Sequence, residues 1–131
     1  MTYLLTVRNK TQYYGVNNIS QCLDRPEGVG LLTVSNHVTT IDSAAIPSPV
    51  IPAKKLFDAR NCGYWNLARE DQTHNNLGVS MITSLVKIMP IHRGGGVFQI
   101  ALTNFIQRIR NGDWGHIFPE GRTYQVFILF L

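Results

Sequence analysis

Cysteine is scarce: Cys22 and Cys62 are the only two, and no Cys-x-x-Cys pair occurs. That excludes a disulfide-dense scaffold and a cysteine-based zinc module. Charge is also thin, at 15% of residues against roughly 25% in an average soluble domain. No run approaches the roughly 18–20 consecutive apolar residues of a membrane-spanning helix. The opening Met1–Arg8 lacks a charged leader ahead of an apolar core, so it does not read as a secretory signal. Residues 1–20 contain just Arg8 and Lys10 as basic residues, which gives no transit-peptide pattern. Internal repeats, low-complexity stretches and clusters of metal-ligating residues are absent from the sequence. The sequons Asn9-Lys10-Thr11 and Asn18-Ile19-Ser20 are of a length that chance often supplies.

What is present is a chain of 131 residues that is 44% hydrophobic, enough to exclude intrinsic disorder and to build one domain or part of a larger one. A net charge of +4 and an isoelectric point near 9.3 suit anionic partners such as lipid headgroups, phosphates or nucleic acid, without choosing among them.

Periodicity and turn residues predict an α/β domain. Gly30-Leu-Leu-Thr-Val-Ser35 reads as a short buried strand, followed directly by Asn36-His37. Pro47, Pro49 and Pro52 predict an extended connection over 46–53. A helix is expected over 75–84, with Leu77, Met81 and Leu85 spaced by four, then a strand over 86–92 whose Pro90 points to an edge. After the glycine loop Arg93-Gly94-Gly95-Gly96, the clearest helix spans 97–110. Phe98, Ala101, Leu102, Phe105 and Ile109 mark one face of it, and Asn111-Gly112 ends it. A last strand, 114–118, closes at Pro119-Glu120-Gly121. The expected parts are a polar segment over 1–29, an α/β domain over 30–125 and a hydrophobic tail over 126–131.

Three segments carry candidate chemistry. In His37-Val-Thr-Thr-Ile-Asp42 an imidazole has a carboxylate in reach only if the histidine sits on the turn leaving the first strand, because i and i+5 diverge by about 140° on a helix. With four histidines in the chain this spacing alone is weak, and an ordinary turn histidine is the simpler reading. His92-Arg93-Gly94-Gly95-Gly96 offers glycine N–H groups, a helix start and a guanidinium to an anion. A plain strand-to-helix loop is equally consistent with it. Phe118-Pro119-Glu120-Gly121-Arg122 is a rigid turn that aims Glu120 and Arg122, and taken alone it reads as a turn with solvated charges.

In this order, however, His-x4-Asp, Arg-Gly and Phe-Pro-Glu-Gly, each after a strand, resemble the first three motifs of the glycerolipid acyltransferase superfamily. The segments Trp65-Asn-Leu-Ala-Arg-Glu-Asp71 and Asn111-Gly-Asp-Trp114 are similar to its tafazzin-like branch, and the resemblance covers roughly residues 4–125. It implies a mixed sheet with flanking helices, incomplete on the C-terminal side, because the family continues past its third motif with further strands and a fourth motif. It implies that His37 is the general base for acyl transfer to a lysophospholipid, that Asp42 orients it, and that Arg93 with Gly94 binds the lipid phosphate. Glu120 and Gly121 would help hold the glycerol-phosphate.

The implied activity is a phospholipid–lysophospholipid transacylase of the cardiolipin-remodelling type, or else an acyl-CoA-dependent lysophospholipid acyltransferase as in other members of the superfamily, neither needing a metal or other cofactor. Its partners would be phospholipid and lysophospholipid at a membrane surface, by resemblance a mitochondrial one, and not nucleic acid. Ser43-Ala-Ala-Ile-Pro-Ser-Pro49 and Gln72-Thr-His-Asn-Asn76 depart from the family pattern. The second reading is a truncated, inactive remnant that binds anionic lipid or phosphate. A basic nucleic-acid binder ranks third, for want of any Lys/Arg cluster beyond Lys54-Lys55.

Overall fold

The order of elements is α1 (Val16–Leu23), β1 (Leu31–Val34), α2 (Asp42–Ala45), β2 (Tyr64–Arg69), α3 (Glu70–Thr73), α4 (Leu77–Leu85), β3 (Ile88–Ile91), α5 (Ile100–Arg110) and β4 (Trp114–Ile117). The computed structural model describes residues 12–39, 42–49, 51, 63–73 and 75–123. The opening residues 1–11 with the sequon Asn9-Lys10-Thr11, Lys54-Lys55, Cys62 and the tail 126–131 lie outside the described residues.

The strands form one sheet in the order β1-β4-β2-β3. All three pairings are parallel, with Leu31 beside Trp114, Tyr64 beside Trp114 and Asn66 beside Ile88. The α/β architecture with flanking helices is the expected one. The expected mixing of strand directions is not found among the described strands: each successive strand follows a crossover long enough to carry a helix, which returns the chain to run parallel.

Side chains alternate across the sheet. Trp114, Tyr64 and Leu31 lie on one face, where Tyr64 meets Trp114 edge-on at 4.5 Å between ring centroids. Ile19 and Leu23 of α1, together with Ile46 and Ile51, close over this cluster. Gly115 faces the other way, toward Phe105 and Ile109 of α5. A Cβ there would fall 2.6 Å from Ile109 Cδ1 and 2.7 Å from the tip of the Phe105 ring, so the missing side chain is what lets α5 sit against β4. Helix α5 ends in a Schellman motif. Gly112, at φ 96°, donates to the Ile109 carbonyl at 3.0 Å, and Asp113 donates to that of Arg108 at 3.1 Å. Asp113 in turn accepts from Trp65 Nε1 at 2.9 Å, tying the helix end to β2.

Several expectations need correction. β1 is an edge strand and only half-buried: Leu32 and Val34 are exposed, because α5 lies over β2, β3 and β4 instead. Residues 46–49 and 51 are not extended. The Ile46 and Ile51 amides bond four residues back, to Asp42 and Pro47, and Pro47 and Pro49 fit because neither bond needs a proline N–H; Pro52 lies outside the described residues. Phe98 precedes α5 and is fully exposed, while Ala101, Leu102, Phe105 and Ile109 do turn inward. Pro90 is on an edge strand as expected, beside Ala68. The expected helix over 75–84 is α4, capped by Asn76, whose side chain accepts from the Val79 amide at 2.9 Å.

Candidate active site

In a parallel sheet all strands end on one side, and the loops leaving them converge there. Here those loops carry every candidate residue. His37 follows β1, His92 and Arg93 follow β3, and Glu120 and Gly121 follow β4. Because β4 inserts next to β1, the Phe118 turn meets His37. The Phe118 ring stacks on the imidazole at 4.2 Å between centroids, and the Glu120 carboxylate accepts from the His37 backbone N–H at 2.7 Å.

His37 Nδ1 lies 3.1 Å from Asp42 Oδ2. The same oxygen accepts from the amides of Val38 and Thr39 at 2.7 and 2.8 Å, and Oδ1 accepts from the Thr39 hydroxyl at 2.7 Å. Burial works to raise the Asp42 pKa, but the bonds from Thr39, His37 and Val38 outweigh it and hold the carboxyl below its ordinary value of 3.8. An ionised carboxylate only accepts, so the His37 proton must sit on Nδ1, which leaves the Nε2 lone pair as the basic site. The turn that brings the two together is closed by Thr39 and Asp42: the Thr39 amide and hydroxyl both donate to the Asp42 carboxylate, and the Asp42 N–H donates to the Thr39 carbonyl at 3.2 Å.

Arg93 donates to the Gly121 carbonyl, which joins the loop after β3 to the turn after β4. A guanidinium has five N–H donors, so this bond leaves others to meet an anion. Gly94 and Gly121 take left-handed φ values of 82° and 62°, which fits glycine at both turns. The loop is held by Gln99, whose amide accepts from the His92 N–H at 2.8 Å and donates to the carbonyls of His92 and Gly96 at 3.0 and 2.7 Å. An open cavity of about 410 Å³ lies at the ends of β2 and β3, lined by Arg69, Glu70, Asp71, Ile91, His92 and Arg93. Arg69 pairs with Asp71 on its wall, and His92 Nδ1 is 3.6 Å from Glu70.

The structure therefore brings His37, Asp42 and Glu120 into direct contact and links Arg93 to Gly121, while His37 does not line the cavity beside Arg93. Sequence reasoning missed Thr39, Gln99 and Phe118 as supports. The Thr-x-x-Asp spacing was a readable sign for the first, and nothing local marked the other two. It also missed His116, which is 1% exposed beneath Phe118. Among the described residues no group of three or more His, Cys, Asp and Glu could hold a metal ion, and no helix is long and apolar enough to cross a membrane.

The acyltransferase family model matches residues 10–127. N-acylphosphatidylethanolamine synthase of Arabidopsis thaliana is 35% identical over 118 residues, covering 89% of this chain and 41% of that protein. Tafazzin of Drosophila melanogaster is 31% identical over 122 residues, 91% of this chain and 31% of that protein. A Dictyostelium discoideum protein named Taffazin is 34% identical over 112 residues, 84% of this chain and 37% of that protein. The chain thus spans less than half the length of these curated relatives. No solved structure is significantly similar to it. With the family model matched over nearly its whole length and two tafazzins among its relatives, the chain belongs to the acyltransferase family.

Proposed function

We propose that this chain carries the catalytic base and the phosphate-binding loop of an acyltransferase that moves a fatty acyl group onto a lysophospholipid at a membrane surface, with a second phospholipid as donor. The observation that supports it most is the His37–Asp42 contact at 3.1 Å, at the same C-terminal end of the parallel strands as the Arg93 loop. His37 Nε2 takes the proton of the acceptor hydroxyl as its oxygen attacks the donor's ester carbonyl. Asp42 steadies the imidazolium that forms. When the tetrahedral intermediate collapses, the C–O bond to the donor glycerol breaks, and the departing oxygen takes the proton back from His37. One ester is made and one is broken, so no water, metal or redox partner enters the balance. Arg93 and Gly94 bind the lipid phosphate, Glu120 and Gly121 keep the turn against it, and cardiolipin remodelling at a mitochondrial membrane is the setting this chemistry suits.

A second reading changes the acceptor. One relative is named as an N-acylphosphatidylethanolamine synthase, so the nucleophile would be a headgroup amine instead of a hydroxyl. Liposomes holding phosphatidylcholine labelled in its acyl chains, a lysophospholipid and phosphatidylethanolamine, without CoA, separate the two. Label in the diacyl product of the lysolipid supports the first reading, label in an N-acyl product supports the second, and label in neither refutes both for this chain.

A further inference from the structure

His116 lies under the candidate site without belonging to it, and its hydrogen bonds can be ordered from one end. Trp114 Nε1 is a donor only, so Thr33 Oγ1 accepts from it at 2.7 Å. The single Thr33 proton then goes to His116 Nδ1, also at 2.7 Å, in preference to the Gly115 carbonyl at 3.4 Å. Burial, reinforced by the nearby His37 and opposed by Asp42, pushes the His116 pKa down to about 4, so the ring is neutral at pH 7. A neutral imidazole that accepts at Nδ1 carries its proton on Nε2, and that proton goes to Ser35 Oγ at 3.1 Å. Ser35 passes its own proton to the Asn36 carbonyl at 3.2 Å.

The chain of bonds ends on the peptide group whose other half is the His37 N–H, itself donating to Glu120 at 2.7 Å. That peptide is gripped at both its oxygen and its nitrogen. A second connection runs through rings: His116 meets Phe118 edge-on at 4.6 Å between centroids, and Phe118 stacks on His37.

We propose that His116 is a positioning residue for His37, fixing its backbone through Ser35 and the Asn36 carbonyl and its ring through Phe118, so that Nδ1 stays on Asp42. In its consequence for turnover this rests on the acyl-transfer reading above; in its geometry it does not. The aromatic connection sets the ring plane, and the hydrogen-bonded one sets the peptide plane. Either alone leaves the imidazole a rotation that the other removes.

The test is amide hydrogen exchange of the full chain and of Ser35→Ala, Ser35→Thr and His116→Phe, alongside transfer kinetics. Ser35→Ala cuts the last link and leaves every ring in place. It should speed exchange of the His37 amide about tenfold, the worth of one net hydrogen bond, while the β1 and β4 ladder amides of Leu31 and Trp114 stay as they were. Ser35→Thr should restore the wild-type rate. Transfer by Ser35→Ala should fall about tenfold in kcat with KM unchanged, and His116→Phe, if it folds, should do the same.

A His37 amide indifferent to Ser35→Ala overturns the proposal. So does faster exchange spread equally over the ladder amides, which would make Ser35 merely structural. If the wild-type chain transfers no acyl group while its His37 amide still responds to Ser35 alone, the acyl-transfer reading fails and the positioning stands.

Discussion

Replacing Asp42 by asparagine keeps the shape of the His37 turn and removes its charge. The amide oxygen can take the place of Oδ2, facing the Val38 and Thr39 amides and His37 Nδ1, while the amide nitrogen faces a Thr39 hydroxyl that can rotate to accept. What is lost is the strength of bonds to an ion: about 1.5–3 kcal/mol net for a bond to a charged group against about 0.5–1.5 for a neutral one. The His37 and Asp42 side chains are each 19% exposed, so water screens the difference only in part. Asp42→Asn should therefore cost about 1–2 kcal/mol at pH 7.

The pH dependence has a definite sign. The folded chain holds Asp42 below its ordinary 3.8, so it binds this proton more weakly than the unfolded chain does. The stabilisation is complete above pH 3.8 and is lost as pH falls through the lower folded value. Urea denaturation followed by tryptophan fluorescence, at pH 7 and in steps down into the acid range, should show a gap between wild type and variant that closes in acid. Equal midpoints at pH 7, or a gap that persists well below pH 3.8, would show that the Asp42 charge does not stabilise this turn.

Two further changes separate fold from site. Gly115→Val forces atoms into the space of Phe105 and Ile109, on the sheet face away from His116, and should lower stability by about 1–3 kcal/mol in the same denaturation assay. Arg93→Ala removes an exposed bond to Gly121 and should cost less than about 1 kcal/mol of stability, yet raise KM for phospholipid. A stability loss as large as the functional one would make Arg93 structural.

Particular residues show how far the sequence could be read. The segments 30–35, 75–84, 86–92, 97–110 and 114–118 announced themselves by β-branched runs, helical spacing and glycine stops, and each holds the expected element. β2 did not, because Tyr64-Trp-Asn-Leu-Ala-Arg69 interrupts its apolar pattern with Asn66, which is 2% exposed between two neighbouring strands. α1 was hidden by its polar residues, although Val16, Ile19 and Leu23 recur at helical spacing and the last two reach the core. The His37–Asp42 spacing could be noticed but not trusted, since only a turn, and not a helix, lets the pair meet. The strand order was illegible. Nothing in the linear chain says that β4 inserts between β1 and β2, and that insertion is what sets Phe118 and Glu120 against His37 and His116 beneath them.

The proposed role of His37 as the base for acyl transfer stands or falls on CoA-free acyl exchange between labelled phosphatidylcholine and a lysophospholipid in liposomes, comparing the wild-type chain with His37→Ala. Exchange should fall by about 10²-fold or more in the variant while both proteins sediment equally with the liposomes. Exchange that survives His37→Ala would contradict that role.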